Sequence, residues 1–201
     1  MELTVYRIAL TAFAVVLHTG TALCLLAAGA LFIAAVKHSG NPSDLKAARW
    51  PALLLGLALI LGAGEELSWG QHWFGFETPK LIKNINPRGE LNLHNIDTAL
   101  VNHLMVFFLF FYVGLLPILT RIFVEIRYIV KRLAIPLCPL QFVPFAFTGC
   151  ALIDYNLIKT VWGNPLWNHT EPRETLFGMI MLDLAILFYT ARKKQRSSPM
   201  L

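Results

Sequence analysis

The sequence predicts an all-α integral membrane protein. We expect a polytopic bundle of about five transmembrane helices, with a short interfacial helix between spans two and three. Three observations carry this expectation. Of 201 residues, 56% are hydrophobic and 14% charged, and the mean hydropathy is +0.59, a composition typical of chains whose solvent is lipid. The apolar residues fall in long runs, and a helix of about 20 such residues spans the hydrocarbon layer. The basic residues gather beside these runs, where they set orientation. Residues 1–201 read as a single membrane domain. The formal charge of +5 does not indicate nucleic acid, because its residues flank apolar segments. Cys24, Cys138 and Cys150 lie in apolar runs without metal-type spacing and read as small buried hydrophobes. The first apolar run is too long for a signal-peptide core and has no clear cleavage site.

Span one covers about residues 5–36 and carries His18 near its middle. A histidine inside a span is either a hydrogen-bonded packing residue or part of a site. Gly40, Asn41 and Pro42 then mark a turn within the loop Lys37–Arg49. Span two covers about residues 50–70, with Pro51 suited to its first turn. Gly56, Gly62 and Gly64 let another helix approach closely. Glu65 and Glu66 follow roughly ten apolar residues, so they lie in the far half of the bilayer. Carboxylates at that depth are costly and usually functional. Neighbouring helical residues diverge by about 100°, so one glutamate can face a cavity while the other pairs sideways. If the helix continues, Glu65, Ser68 or Trp69, and His72 share a face.

Thr78 and Pro79 read as the N-cap and first position of a short amphipathic helix. Leu81, Ile82 and Ile85 form its apolar face, which suits the membrane interface. Pro87-Arg88-Gly89 turns the chain. Glu90 and His94 come together whether the next segment is a strand or a helix. Span three covers about residues 97–123, with Asp97 as N-cap, Asn102 and His103 in the first turns, and a kink at Pro117. Arg121, Arg127, Lys131 and Arg132 make the following segment a basic amphipathic helix on the membrane surface. Span four covers about residues 134–153 and is broken by Pro136, Pro139 and Pro144. Its loop holds Trp162, Trp167, Asn168, His169 and Glu171. Span five covers about residues 174–190, contains Asp183, and ends in a basic tail. No internal repeat is evident.

Five spans put the chain ends on opposite sides. One set of loops and the tail hold 11 of the 17 Lys and Arg residues. The positive-inside rule makes that side cytoplasmic, with the N-terminus outside and the C-terminus in the cytoplasm of a cell (inner or plasma) membrane. The outer side then collects Glu65, Glu66, His72, Glu90, His94, His103, His169, Glu171 and Glu174. Trp69, Trp73, Trp162 and Trp167 fall there as an aromatic belt.

Glutamate and histidine are ligands for Zn, Fe or Mn. Glu66, Glu90 and His94, with His72, His169 or Glu174, make a candidate shell. A remaining glutamate of the Glu65/Glu66 pair would be the catalytic base for bound water. Asn95, His103 and Glu174 are further polar candidates. The structural alternatives are a helix start for Glu171 and Glu174 beside Pro172, an interfacial role for His72, and packing for His103.

The motifs E-E-L-S-W-G-Q, F-E-T-P and G-E-L-N-L-H-N, in that order between Gly64 and Asn95, resemble a family of bacterial multi-pass membrane proteins without an assigned activity. The Glu-Glu pair is also similar to that of membrane-embedded CAAX-type proteases. That similarity implies water activated by Glu65, Glu66 and later histidines. The Arg of that family's motif is absent here, where Ser68, Trp69 and Gly70 stand.

Three functional readings follow. One is a metal- or glutamate-dependent enzyme acting at the outer leaflet on a lipid or lipid-linked substrate. Another is a proton-coupled carrier with Glu65, Glu66, His18 and Asp183 as relay; the absence of a repeat weighs against an inverted-repeat carrier. The third is a non-catalytic subunit of a membrane complex, its polar residues bonding between helices.

Overall fold

The computed structural model describes residues 2–37, 49–151 and 170–197. All the regular elements among them are helical. Apart from the short turns Ser68–Gly70, Gln71–Phe74 and Leu140–Phe142, they are α1 (Glu2–Lys37), α2 (Trp50–Glu66), α3 (Lys80–Ile85), α4 (Thr98–Ile122), α5 (Val124–Arg132), α6 (Val143–Ala151) and α7 (Thr170–Ser197). Three apolar stretches are long enough to cross a membrane: Val15–Lys37, Thr98–Ile122 and Arg173–Lys194.

The second and fourth expected spans are shorter helices. Helix α2 has 17 residues, which at 1.5 Å per residue gives about 25 Å. The apolar helix of the fourth, as described, is Leu140–Cys150. The chain from Ile135 to Pro139 is non-helical, because prolines lack the amide hydrogen and clash with a preceding turn. Tyr112 on α4 donates its hydroxyl to the Pro136 carbonyl and anchors this extended stretch.

Side-chain contacts give the helix directions. Helix α2 runs antiparallel to α1: Glu66 meets His18, Gly62 faces Leu25, and Gly56 faces Gly29. Helix α7 runs parallel to α1. The hydroxyls of Thr21 and Thr175 are 3.0 Å apart, Gly178 packs on Thr21 and Cys24, and the Phe32 and Phe188 rings are 5.7 Å apart. Helix α4 is parallel to α7, joined by Asn102–Arg173 and Phe108–Phe177. Helix α6 is antiparallel to α4, through Phe110–Phe147 and Cys150–Val106.

Small residues let these helices approach. Ala22, Ala28, Ala52, Ala63 and Ala185 are buried in the shared core. The tightest crossing is Gly29 on Gly56: a Cβ on Gly29 would lie 2.6 Å from the Gly56 oxygen. In lipid, such close packing replaces the hydrophobic drive between helices.

Local expectations fare unevenly. Asp97 caps α4, its side chain accepting from the Leu100 amide at 2.9 Å. Helix α5 follows α4 as a separate surface element, and Arg127 turns back to donate to the Thr120 and Arg121 carbonyls. Helix α2 stops at Glu66, not near residue 70. Ser68 (φ 46), Trp69 (φ 55) and Gly70 (φ 79) are left-handed, which no L-residue helix continues through. The shared face of Glu65, Ser68 or Trp69, and His72 therefore does not form. Thr78 is not the cap of α3; Pro79 holds that position, while Thr78 donates to the Gly89 carbonyl. The irregularity of α4 lies upstream of Pro117, as a π-helical stretch from Leu109 to Leu115. A proline leaves earlier carbonyls without their usual donor, and a wider turn relieves this.

Candidate functional site

The site is built where α2 ends. Three left-handed residues swing the chain out, and the segment from Asn86 to Asn95 folds back against the break. It is neither strand nor helix. Side chains, not ladders, hold it: Asn86 donates to the Glu90 and Asn92 carbonyls and to the Asn92 side chain. Gln71 accepts from the Leu91 amide at 2.7 Å and donates to Thr78.

Glu90 is the hub of this fold-back. Its Oε2 accepts from Ser68 Oγ at 3.2 Å, Asn92 Nδ2 at 2.9 Å and Asn95 Nδ2 at 3.2 Å. Ser68, Asn92 and Asn95 are all buried. Asn92 also donates to Ser68 Oγ at 2.8 Å. Buried polar groups need such partners, and the network supplies them.

Glu65 clamps the same segment from the helix side. Its Oε2 accepts from the amides of Leu93, at 2.5 Å, and His94, at 3.1 Å. Its Oε1 accepts from Trp69 Nε1 at 2.9 Å. His94 Nδ1 is buried without a hydrogen-bond partner, 3.8 Å from Glu65 Oε2.

Glu66 points elsewhere, as the 100° step demands. It faces into the bundle, where its Oε2 lies 3.0 Å from His18 Nδ1 on α1. Glu174 on α7 joins them: His18, Glu66 and Glu174 each bring one ligand atom to within 4.8 Å of the others. Behind Glu174, the Arg173 guanidinium is buried and donates to Asn102 Oδ1 at 2.5 Å. Arg173 Nη2 lies 3.9 Å from Glu174 Oε1.

Two cavities meet here. The larger is about 640 Å³ and lies between the ends of α2, α4 and α7. Leu25, Leu61, Leu100, Val101 and Phe177 give it mostly apolar walls, with Glu65, Glu66, Glu174, Asn102 and His94 among them. The smaller is about 270 Å³ and mixed in character, with Val15, Leu67 and Trp73 on its walls beside His18, Glu66, Ser68, Arg88, Glu90 and Asn92. Glu66 and His94 line both.

Of the residues singled out from sequence, the structure gathers Glu65, Glu66, Glu90, His94, Asn95 and Glu174 around this break. Glu90 and His94 share the smaller cavity without the regular pairing expected. His103 is exposed on α4 and lines neither cavity. His72 lies in the single turn Gln71–Phe74, but its side chain is outside the described residues, as is all of His169. Sequence reasoning left His18 as a packing residue or a relay member, and its place beside Glu66 and Glu174 is new. The only signal for it was a histidine at membrane depth, whose partners stand 48 and 156 positions away. No family model, curated protein or solved structure matches the chain, so the site itself carries the functional argument.

Proposed function

We propose that this protein is an integral membrane enzyme that hydrolyses a lipid or lipid-linked substrate at the outer face of a cell membrane. The observation that supports it best is the shared wall. Glu66 and His94 stand between a strongly apolar cavity of about 640 Å³ and a less apolar one of about 270 Å³ that also carries Arg88, Glu90 and Asn92. The larger has the volume of an ordinary small-molecule site. An amphiphile placed across the wall has its chain in the larger, apolar chamber, its head beside Arg88 and Asn92 in the smaller one, and the bond between them at Glu66. Glu66 and His18 then hold a water at that bond, and His94 Nδ1 at the same seam accepts its proton. Glu65 and Glu90 hold the frame, because their oxygens accept from the fold-back.

The same reading includes five crossings with the N-terminus outside. If α1, α4 and α7 all cross in one direction, the chain must return twice between them. Antiparallel α2 and α6 are the segments placed to do so. In the sequence, 11 of the 17 Lys and Arg residues lie in the stretches at and beyond the ends of α1, α4 and α7, which supports a cytoplasmic side there. For the carrier reading, Asp183 would have to join the cluster. It is exposed on α7, nine residues from Glu174, which is about 13 Å along the helix.

The test uses purified protein in vesicles made from a total membrane lipid extract that includes a photoactivatable phospholipid. Label should appear on peptides carrying Leu61 or Leu100, and Val101→Trp, which fills the apolar chamber, should abolish it. Lipid mass spectrometry should then show a cleaved species that wild type forms and Glu66→Gln does not. Label confined to the outer helix faces, unchanged by Val101→Trp, would overturn the reading.

A further inference from the structure

We infer that His18, Glu66 and Glu174 form a binding site for one divalent transition metal ion, of the Zn, Fe or Mn class. This rests on the site proposed above as the place of chemistry, but not on the identity of the occupant. The set differs from the shell expected from sequence, which drew on Glu90, His94, His72 and His169 with Glu66.

The first argument is distance. Zinc binds histidine nitrogen and carboxylate oxygen at about 2.0–2.2 Å, so tetrahedral ligand atoms stand about 3.4 Å apart. His18 Nδ1 and Glu66 Oε2 are 3.0 Å apart, and all three ligand atoms lie within 4.8 Å of one another. The second argument is support. The three ligands come from three helices that small residues and hydroxyls lock together. The Thr21–Thr175 bond, 3.0 Å, sits three residues after His18 on α1 and directly after Glu174 on α7. The Gly178 contact with Thr21 and Cys24 fixes the same crossing. Sites built on packed helices hold ligand geometry better than sites on loops.

The third argument is charge. Two carboxylates with side chains 13% and 15% exposed stand together near the ends of apolar helices, where a dication between them would offset their charge. The donor set of one imidazole and two carboxylates suits Zn, Fe or Mn, whereas Cu(I) prefers sulfur and Ca takes six or more oxygens. Three protein ligands leave a coordination position for water, the pattern of a catalytic site. Glu66 opens to both cavities, His18 to the smaller and Glu174 to the larger, so that position faces the proposed substrate path.

Glu90 makes a poorer ligand by the same criteria. Its Oε2 already accepts from three buried donors, which a metal would displace.

The experiment measures metal content of detergent-purified protein by elemental mass spectrometry, then strips it with chelator and reloads it with Co²⁺. Wild type should hold about one equivalent and, with Co²⁺, show the visible absorption of a low-coordinate nitrogen–oxygen site. His18→Ala and Glu174→Gln should each weaken Co²⁺ binding at least tenfold, while Glu90→Gln and His94→Ala retain it. Wild type that neither holds metal nor gives a Co²⁺ spectrum overturns the inference without recourse to any variant. So does metal that survives His18→Ala and Glu174→Gln but is lost with His94→Ala. The lipid labelling described above is run on the stripped protein. Label retained with no metal site refutes this inference alone, whereas a metal site without cavity label refutes the lipid reading alone.

Discussion

Replacing Glu90 with alanine tests whether this carboxylate is frame or ligand. The substitution removes the acceptor shared by Ser68, Asn92 and Asn95. These three residues are 3%, 2% and 6% exposed, so bulk water does not reach them freely. Stranding a buried donor costs about 1–3 kcal/mol. Two circumstances lower the total. Asn92 keeps its bonds to Ser68 and Asn86, and the adjoining 270 Å³ cavity has room for replacement waters. We therefore expect a loss of about 2–4 kcal/mol, which for a chain of this size lowers the melting temperature by roughly 4–16 °C. Glu90→Gln keeps an oxygen at the hub and should recover most of the loss. In chelator-stripped protein, Glu66→Gln disturbs a pair whose histidine side chain is 35% exposed, and should cost under about 1 kcal/mol. Thermal unfolding in detergent, followed by tryptophan fluorescence, reads all three. A Glu90→Ala protein melting within about 2 °C of wild type would refute the hub. A Glu66→Gln protein that melts far lower than Glu90→Ala would mean that the structural and functional roles are reversed.

Two further outcomes are expected. Gly56→Leu should destabilise the α1–α2 pair by about 1–3 kcal/mol or more, because even a Cβ there meets the Gly29 oxygen at 2.9 Å; a melting temperature equal to wild type would refute the close crossing. In a background lacking Cys24, Cys138 and Cys150, a cysteine at Asn84 should react with an impermeant reagent from outside and one at Gln195 should not; the opposite pattern would place the site on the cytoplasmic face.

How much of this was legible in the sequence depends on the reach of each signal. The all-helical character, the Asp97 cap and the separate basic helix α5 rest on contiguous residues, and composition or periodicity reveals such features. The divergence of Glu65 and Glu66 also follows from helix geometry alone. The end of α2 was not legible, because Ser68 and Trp69 adopt left-handed backbone that their residue types do not advertise. Only Gly70 hinted at it. Glu90 reads as a ligand from sequence because a glutamate near a histidine invites that reading. Its hydrogen bonds were not legible, because they depend on Ser68, 22 positions away, being turned inward by that same break. The His18–Glu66–Glu174 group depends on which way α1 and α7 run. Parallel packing of the first and last helices sets that direction, and no local pattern encodes it.

The adjacent glutamates at the end of α2 tie two regions together through a single peptide unit. Glu65 grips the Leu93 and His94 amides, and Glu66 stands at the seam of the two cavities. The two side chains leave the last helical turn about 100° apart, so one serves the fold-back and the other the cavities. Leu93, 61% exposed, is therefore joined to the part-buried Glu66 carboxylate by one hydrogen bond and one peptide unit, a path that skirts the packed interior of the bundle.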